Sequence, residues 1–179
     1  MEIQHLLKLI EHDQYVYRFR RVNTQDVVKN IMCCHSNSIK LLNDFQLCCF
    51  VILLIRQIHI VFHCWRLLVC LQQKWFFSVA FSYLQSKKTN NFEWVFNKAK
   101  CLFLNDDVLP WVIVTNKDLP LMNALEVVFS SSTNLLCEFH IFKNVRGKCK
   151  ILVTKVENWE GMMDAWWIIL MNKYMSNNS

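Results

Sequence analysis

Residues 111–129, WVIVTNKDLPLMNALEVVF, hold the text that decides the fold. Trp111–Thr115 is short, continuously apolar and β-branched, which predicts a strand covered on both faces. A helix is expected from about Asp118 to Phe129, with Leu121, Met122, Leu125 and Val128 inward and Asp118 as its cap. Pro120 falls in the first turn, where a missing N–H costs little. Upstream, FSVAFSYL (77–84) alternates like a half-buried strand. Thr89, Asn90 and Asn91 then precede a helix carrying Phe92, Val95, Phe96, Ala99, Leu102 and Phe103, closed by a loop at Asn105–Asp107. Downstream, a strand is expected near Asn134–Ile141, followed by a basic stretch. Strands alternating with helices predict an α/β layered sheet.

The chain has 179 residues, enough for one domain with a buried core. Apolar residues make up 54% and charged residues 19%, which excludes global disorder. Glycine and proline number 2 each, where average usage gives roughly 13 and roughly 9. Neither occurs before Pro110, so the residues that normally punctuate turns are missing from the first half. A net charge of +6 admits an anionic partner but falls well short of a histone-like composition. Nine cysteines are an odd number, and the N-terminus MEIQHLLKLIEHDQ carries charge where a signal core would be apolar. Reduced thiols in a cytosolic or nuclear protein are expected.

Residues 1–45 read as two helical pieces: Ile3, Leu6, Leu7 and Ile10, then Val27, Val28, Ile31 and Met32 after the cap residues Asn23 and Thr24. Cys33, Cys34 and His35 lack a second ligand pair at a zinc-type spacing. Residues 46–76 are apolar without a clear period, and no acidic residue occurs between Asp44 and Glu93. The uncharged run Gln46–Ile55 is too short to span a bilayer, and Arg56, His59, His63 and Arg66 interrupt the apolar text beyond it, so a membrane span is disfavoured. His59 and His63 have the i, i+4 spacing of two ligands on one helix face, without a nearby carboxylate.

The run VIVTNKDLPLMNALEVVFSSSTNLLCEFHIFKNVRGKCK resembles the central block of plant Mutator-like element transposases and of their relatives, the far-red-impaired-response transcription regulators. The resemblance covers 77 to about 175, including FSVAFSYL and NWEGMMDAWW, and 12–45 resemble the segment preceding the family's core. It implies an RNase H-like mixed sheet with flanking helices, of the DDE transposase and integrase type. Three carboxylates there hold Mg²⁺ or Mn²⁺ for strand cleavage and transfer, clamping attacking and leaving oxygens.

The family's second acid follows a strand in a V-T-D-R-D-L pattern; here Val114, Thr115, Asn116, Lys117, Asp118, Leu119 put Asn116 in its place. The third, a glutamate, is expected well beyond Trp159, and the sequence ends at Ser179. The first belongs to a D-S-T-Y-K-T-N motif about thirty residues before FSVAF, where nothing of the kind is written. Joining the last base of each codon to the first two of the next recovers it. Gln46–Trp65 then permits P-T-V-L-F-R-D-S-T-Y-K-T-N-T-Y-R-F-P-L-L, with the aspartate straddling Val51 and Ile52, and Trp65–Trp75 permits E-I-V-G-V-S-P-T-E-M. Residues 46–76 are thus expected to be an out-of-frame translation, neither in register nor correctly patterned for a central strand set, leaving exposed apolar surface and poor solubility. The chain divides into a helical 1–45, an out-of-frame 46–76, and 77–179 as the central transposase block.

Cys137 and His140 match the family's C-x-x-H signature, but two residues make no tetrahedral zinc site. Lys143, Arg146, Lys148 and Lys150 form a cluster suited to DNA phosphates. Trp94, Phe96, Trp111, Trp159, Trp166 and Trp167 read as core or interface residues. The expectation is an incomplete RNase H-like domain, related to transposition and to transposase-derived regulators, nuclear and without catalysis, resident metal or small-molecule substrate. Two alternatives stand beside it: a domesticated nuclear DNA- or protein-binding regulator, and a small membrane-associated protein using residues 46–71.

Overall fold

The computed structural model describes residues 13–22, 25–44, 49–58, 62–70, 76–105, 109–149 and 158–166, with Lys8 and Ile168. The chain forms two compact units, Met1–Cys137 and Glu138–Ser179. The first is built on a seven-stranded sheet: β1 (Tyr15–Val22), β2 (Gln25–His35), β3 (Cys49–Ile58), β4 (Phe62–Cys70), β5 (Phe76–Leu84), β6 (Val112–Thr115) and β7 (Thr133–Leu136). Its order is β1-β2-β5-β4-β3-β6-β7. Pairing is antiparallel from β1 through to β3, then parallel from β3 to β6 and from β6 to β7. Among the described residues this unit carries the helices α1 (Ser36–Asp44), α2 (Thr89–Lys100) and α3 (Leu119–Val128), and Lys8 is helical.

One sheet face meets these helices in a shared core. Trp65 and Leu67 of β4, Ala80 and Leu84 of β5, Met32 and Cys34 of β2 and Ile113 of β6 lie against Leu42, Phe92, Val95, Phe96, Leu121 and Leu125. The Trp65 and Phe92 rings meet edge to face at 5.0 Å, and Phe92 stacks on Phe96 at 6.1 Å. Buried amides fix the layers where apolar contact alone would let them slide. Asn91 of α2 accepts from the Asn30 amide at 3.3 Å and donates to the Ser86 carbonyl and hydroxyl, both at 2.9 Å. Asn43 of α1 donates to the Ile39 and Leu102 carbonyls and accepts from the Leu104 amide. Unsatisfied, such groups would cost about 1–3 kcal/mol each.

The expected strands at 77–84 and 111–115 and the helices at 92–103 and 118–129 are present as β5, β6, α2 and α3. Tyr15–Val22 and Gln25–His35 pair as antiparallel strands, not helix; Lys8 is helical, and α1 follows the second strand. Ile31, Met32, Cys33 and Cys34 are all buried because β2 lies between β1 and β5 with both faces covered, a pattern that also fits a buried helix. The expectation for Ile3–Ile10, and for Asn23 and Thr24 as caps, falls outside the described residues. Residues 46–76 do supply paired central strands, β3 and β4, contrary to the expectation for out-of-frame text. Apolar β-branched sequence pairs as strand whatever its origin, since a central strand needs apolar side chains on both faces. No described helix is long and apolar enough to cross a membrane. The strand expected at 134–141 stops at Leu136, and helix begins at Glu138. Thr89 and Asn91 lie inside α2, whose cap position is Lys88. β6 is buried on its helix face and half-buried on the other. Phe96 is buried and Trp94 packs against the core, whereas Trp111 is 77% exposed. Trp159 and Trp166 are half-buried, and the Trp167 side chain lies outside the described residues.

Phe92→Ala should therefore destabilise the chain by about 3–5 kcal/mol, while Trp111→Ala should stay within about 0.5 kcal/mol. Urea titration followed by circular dichroism measures both.

Candidate functional site

The carboxyl ends of the parallel strands β6 and β7 lie together, level with Ile52 of β3, at the end of these strands where open α/β sheets place their ligands. Ile52 pairs with Thr115 and Thr115 with Leu136, so Asn116 and Cys137 each come immediately after neighbouring strand ends. The Cys137 amide donates to the Thr115 carbonyl at 2.7 Å, closing the link between them. Thr115 donates its hydroxyl to the Asn134 side chain at 3.1 Å. Val51 and Ile52, the position of the aspartate expected from a neighbouring reading frame, pair with Val114 and Thr115, next to Asn116.

Asn116 is half-buried, and its Oδ1 is enclosed without a hydrogen-bond partner among the described residues. Asp118 caps α3, its carboxylate accepting from the Leu121 amide at 3.4 Å. His63 reaches the same end of the sheet, because β4 runs antiparallel to β3 and Gln57 pairs with His63. Burial, then the Lys87 ammonium, pushes the His63 pKa down, partly opposed by Asp118. This end of the sheet thus carries a neutral amide, an imidazole held toward neutrality and one carboxylate engaged as a cap. That is a weak donor set for Mg²⁺ or Mn²⁺, which favour clustered anionic oxygens. Among the described residues, no group of three or more His, Cys, Asp or Glu is arranged to hold a metal.

His63 lies on strand β4 and not on a helix. His59 itself is outside the described residues. Cys33 and Cys34 point to opposite faces of β2, and His35 accepts from the Asn37 amide at 3.1 Å. Sequence reading misses the place of His63 beside Asp118, which arises from β4 folding back along β3, and the aromatic alternation of β1. The β1 signal stands in YVYRFRRV as strict period two.

The second unit carries α4 (Glu138–Cys149) and a helix at 158–166. His140 lies in the first turn of α4, its Nδ1 enclosed without a partner among the described residues. Lys143, Arg146 and Lys148 are exposed on this helix; Lys150 is outside the described residues. Lys143 and Arg146 share one face, and Lys148 lies roughly 140° around the axis from Lys143. Arg146 and Lys148 also face the negative end of the helix dipole, so part of their charge has a local role.

Burial, with the Cys34 and Cys64 thiols nearby, pushes Cys33 up to about 12 from an ordinary 9.0. Burial likewise raises Cys34 to about 11 against the pull of Arg18. Because these pKa values are raised on folding, the stabilisation is complete below about pH 9 and is lost as pH climbs towards 12. Urea midpoints should hold up to pH 9 and fall by pH 10.5, and Cys33→Ala should flatten that fall. At pH 8 a thiol reagent should label exposed Cys101 quickly and spare Cys33 and Cys34 until unfolding.

No curated protein matches this chain. Over residues 62–144, from the start of β4 into α4, the chain matches the family model of the MULE transposase domain.

Proposed function

We propose that this protein is a transposase-derived, DNA-binding nuclear protein whose strand-cleaving centre is silent. The match to a MULE transposase domain supports the transposase relation. The sheet order supports an RNase H-like core: the antiparallel β5-β4-β3 continues into parallel β6 and β7, with α2 and α3 connecting them. The reading is carried by one observation: Asn116 ends β6 where the family pattern has an acid, and the adjoining β3, CFVILLIRQI, contains no carboxylate. Two-metal cleavage needs anionic oxygens on both strands to gather its cations, and neither strand supplies one.

The absence of acids in β3 has its own proposed cause, the translation of codons 46–76 in a neighbouring frame. The nucleotide sequence around codons 45–77 tests this; a coding text incompatible with the D-S-T-Y-K-T-N motif ends it. What survives is charge. Lys143, Arg146, Lys148 and Lys150 supply a sequence-independent attraction for phosphate, as a regulator descended from a transposase requires.

Purified full-length chain incubated with supercoiled DNA and Mg²⁺ or Mn²⁺ should yield no nicking above a mock preparation. Chelator-sensitive nicking would overturn the silent-centre reading. In gel shifts on duplex DNA, reversing all four cations to Glu should abolish binding. Unchanged binding would remove the DNA reading.

A further inference from the structure

The sheet has a second face, opposite the helices, and four of its strands carry rings in two rows. Tyr17 pairs with Cys33, Cys33 with Phe81, and Phe81 with Arg66. One step along, Phe19 pairs with Ile31, Ile31 with Tyr83, and Tyr83 with Cys64. Directly paired residues project from the same face, so each row sets its rings on either side of a smaller side chain. Those smaller residues, Cys33 and Ile31, and Cys64 at the row's end, are buried at 5%, 2% and 4% exposure. Of the rings, Tyr17, Phe81 and Tyr83 are half-buried, and Phe19 is 40% exposed.

These rings are held flat and close. Tyr17 and Phe19 stack at 6.2 Å with 21° between planes, and Tyr15 braces against His35 at 5.1 Å. Guanidinium groups lie on two of them, Arg21 over Phe19 at 4.8 Å and Arg66 over Phe81 at 5.7 Å. Arg66 is steadied by a hydrogen bond to the Ser78 hydroxyl. No acidic residue occurs in β1, β4 or β5, and β2 carries one, Asp26, outside the two rows. Two rows that combine ring planes with arginines and contain no carboxylate are complementary to a polyanion that presents planar groups.

We infer that this face of β1-β2-β5-β4 binds an unpaired polynucleotide strand, its bases stacking on Tyr17, Phe19, Phe81 and Tyr83 and its phosphates meeting Arg21 and Arg66. Duplex DNA keeps its base faces inside the stack and offers this surface only phosphates. Unpaired bases offer π-faces, so the surface discriminates by strandedness and not by sequence. The inference goes beyond the duplex reading, which rests on α4, and the two can fail separately.

Fluorescence anisotropy of labelled oligo(dT), oligo(rU) and a duplex with the full-length chain tests it. Low-salt binding of at least one unpaired oligonucleotide is expected, weakened about tenfold or more by the pair Tyr17→Ala and Phe19→Ala. Phe19→Ser, at the most exposed ring, keeps the buried layer intact and should still weaken binding several-fold; circular dichroism verifies that each variant is folded. Duplex binding should change less than twofold in these variants, and charge reversal on α4 should give the opposite pattern. Binding of only one of the two oligonucleotides supports the inference and identifies the sugar preferred. It is overturned if the folded chain binds neither, if both ring variants bind like the parent, or if single-stranded and duplex binding weaken equally. A dimer broken by Phe19→Ser, in a chain that ignores oligonucleotides, equally overturns it and makes the face a homotypic contact.

Discussion

β3 must satisfy two different neighbours at once. One edge pairs antiparallel with β4 over almost its whole length, and the other pairs parallel with the short β6. This is the seam at which the sheet changes from meander to crossover topology. Over Cys49–Ile52 this strand has a paired neighbour on each side, and beyond Ile52 it is paired with β4. Apolar text tolerates the position well, and the shortness of β6 has a further effect. β3 runs on past the end of β6, so the connection leaving Thr115 turns beside a strand that is still extended. That offset leaves Asn116, which follows Thr115, at the level where β3 continues past its pairing with β6.

The layer that braces the seam is aromatic. Trp65 of β4, Phe92 and Phe96 of α2, and Phe129 after α3 form a chain of rings running from the sheet into the helices. Each contact contributes about 0.5–1.5 kcal/mol beyond the area it buries. The buried amides of Asn30, Asn43 and Asn91 contribute less energy than direction, fixing where α1 and α2 sit along the strands. Specific packing of this kind gives a stable scaffold to the strand ends that Asn116 and Cys137 follow.

Much of the first unit is legible in the sequence, and the reasons differ by element. β5, β6, α2 and α3 have clean periods, and Asp118 caps α3, so local chemistry and tertiary context agree. The β1–β2 hairpin reads wrongly as helix because VVKNIMCC has its apolar residues at spacings that fit both a helix face and a strand buried on two sides. Only the position of β2 between two other strands resolves it, and that is not local information. The same holds for residues 46–76, where the absence of period hides two strands that pairing partners alone reveal. At the candidate site, Asn116 and Cys137 are found from motif spacing and come together on adjacent strands. His63 is not, since its approach to Asp118 depends on the fold-back of β4.

The hairpin is fastened to the rest of the sheet along a single line, β2 against β5 from Asn30–Leu84 to Cys34–Ala80, with the Asn30–Asn91 bond at one end. Such a line is where a sheet opens first, and backbone amides of β1 and β2 should exchange with solvent sooner than those of β3 and β4. The two ring rows cross that line, Tyr17 and Phe19 on one side of it, Phe81 and Tyr83 on the other. Any molecule spanning both rows therefore acts as a clasp, and its occupancy is coupled to whether the hairpin is shut.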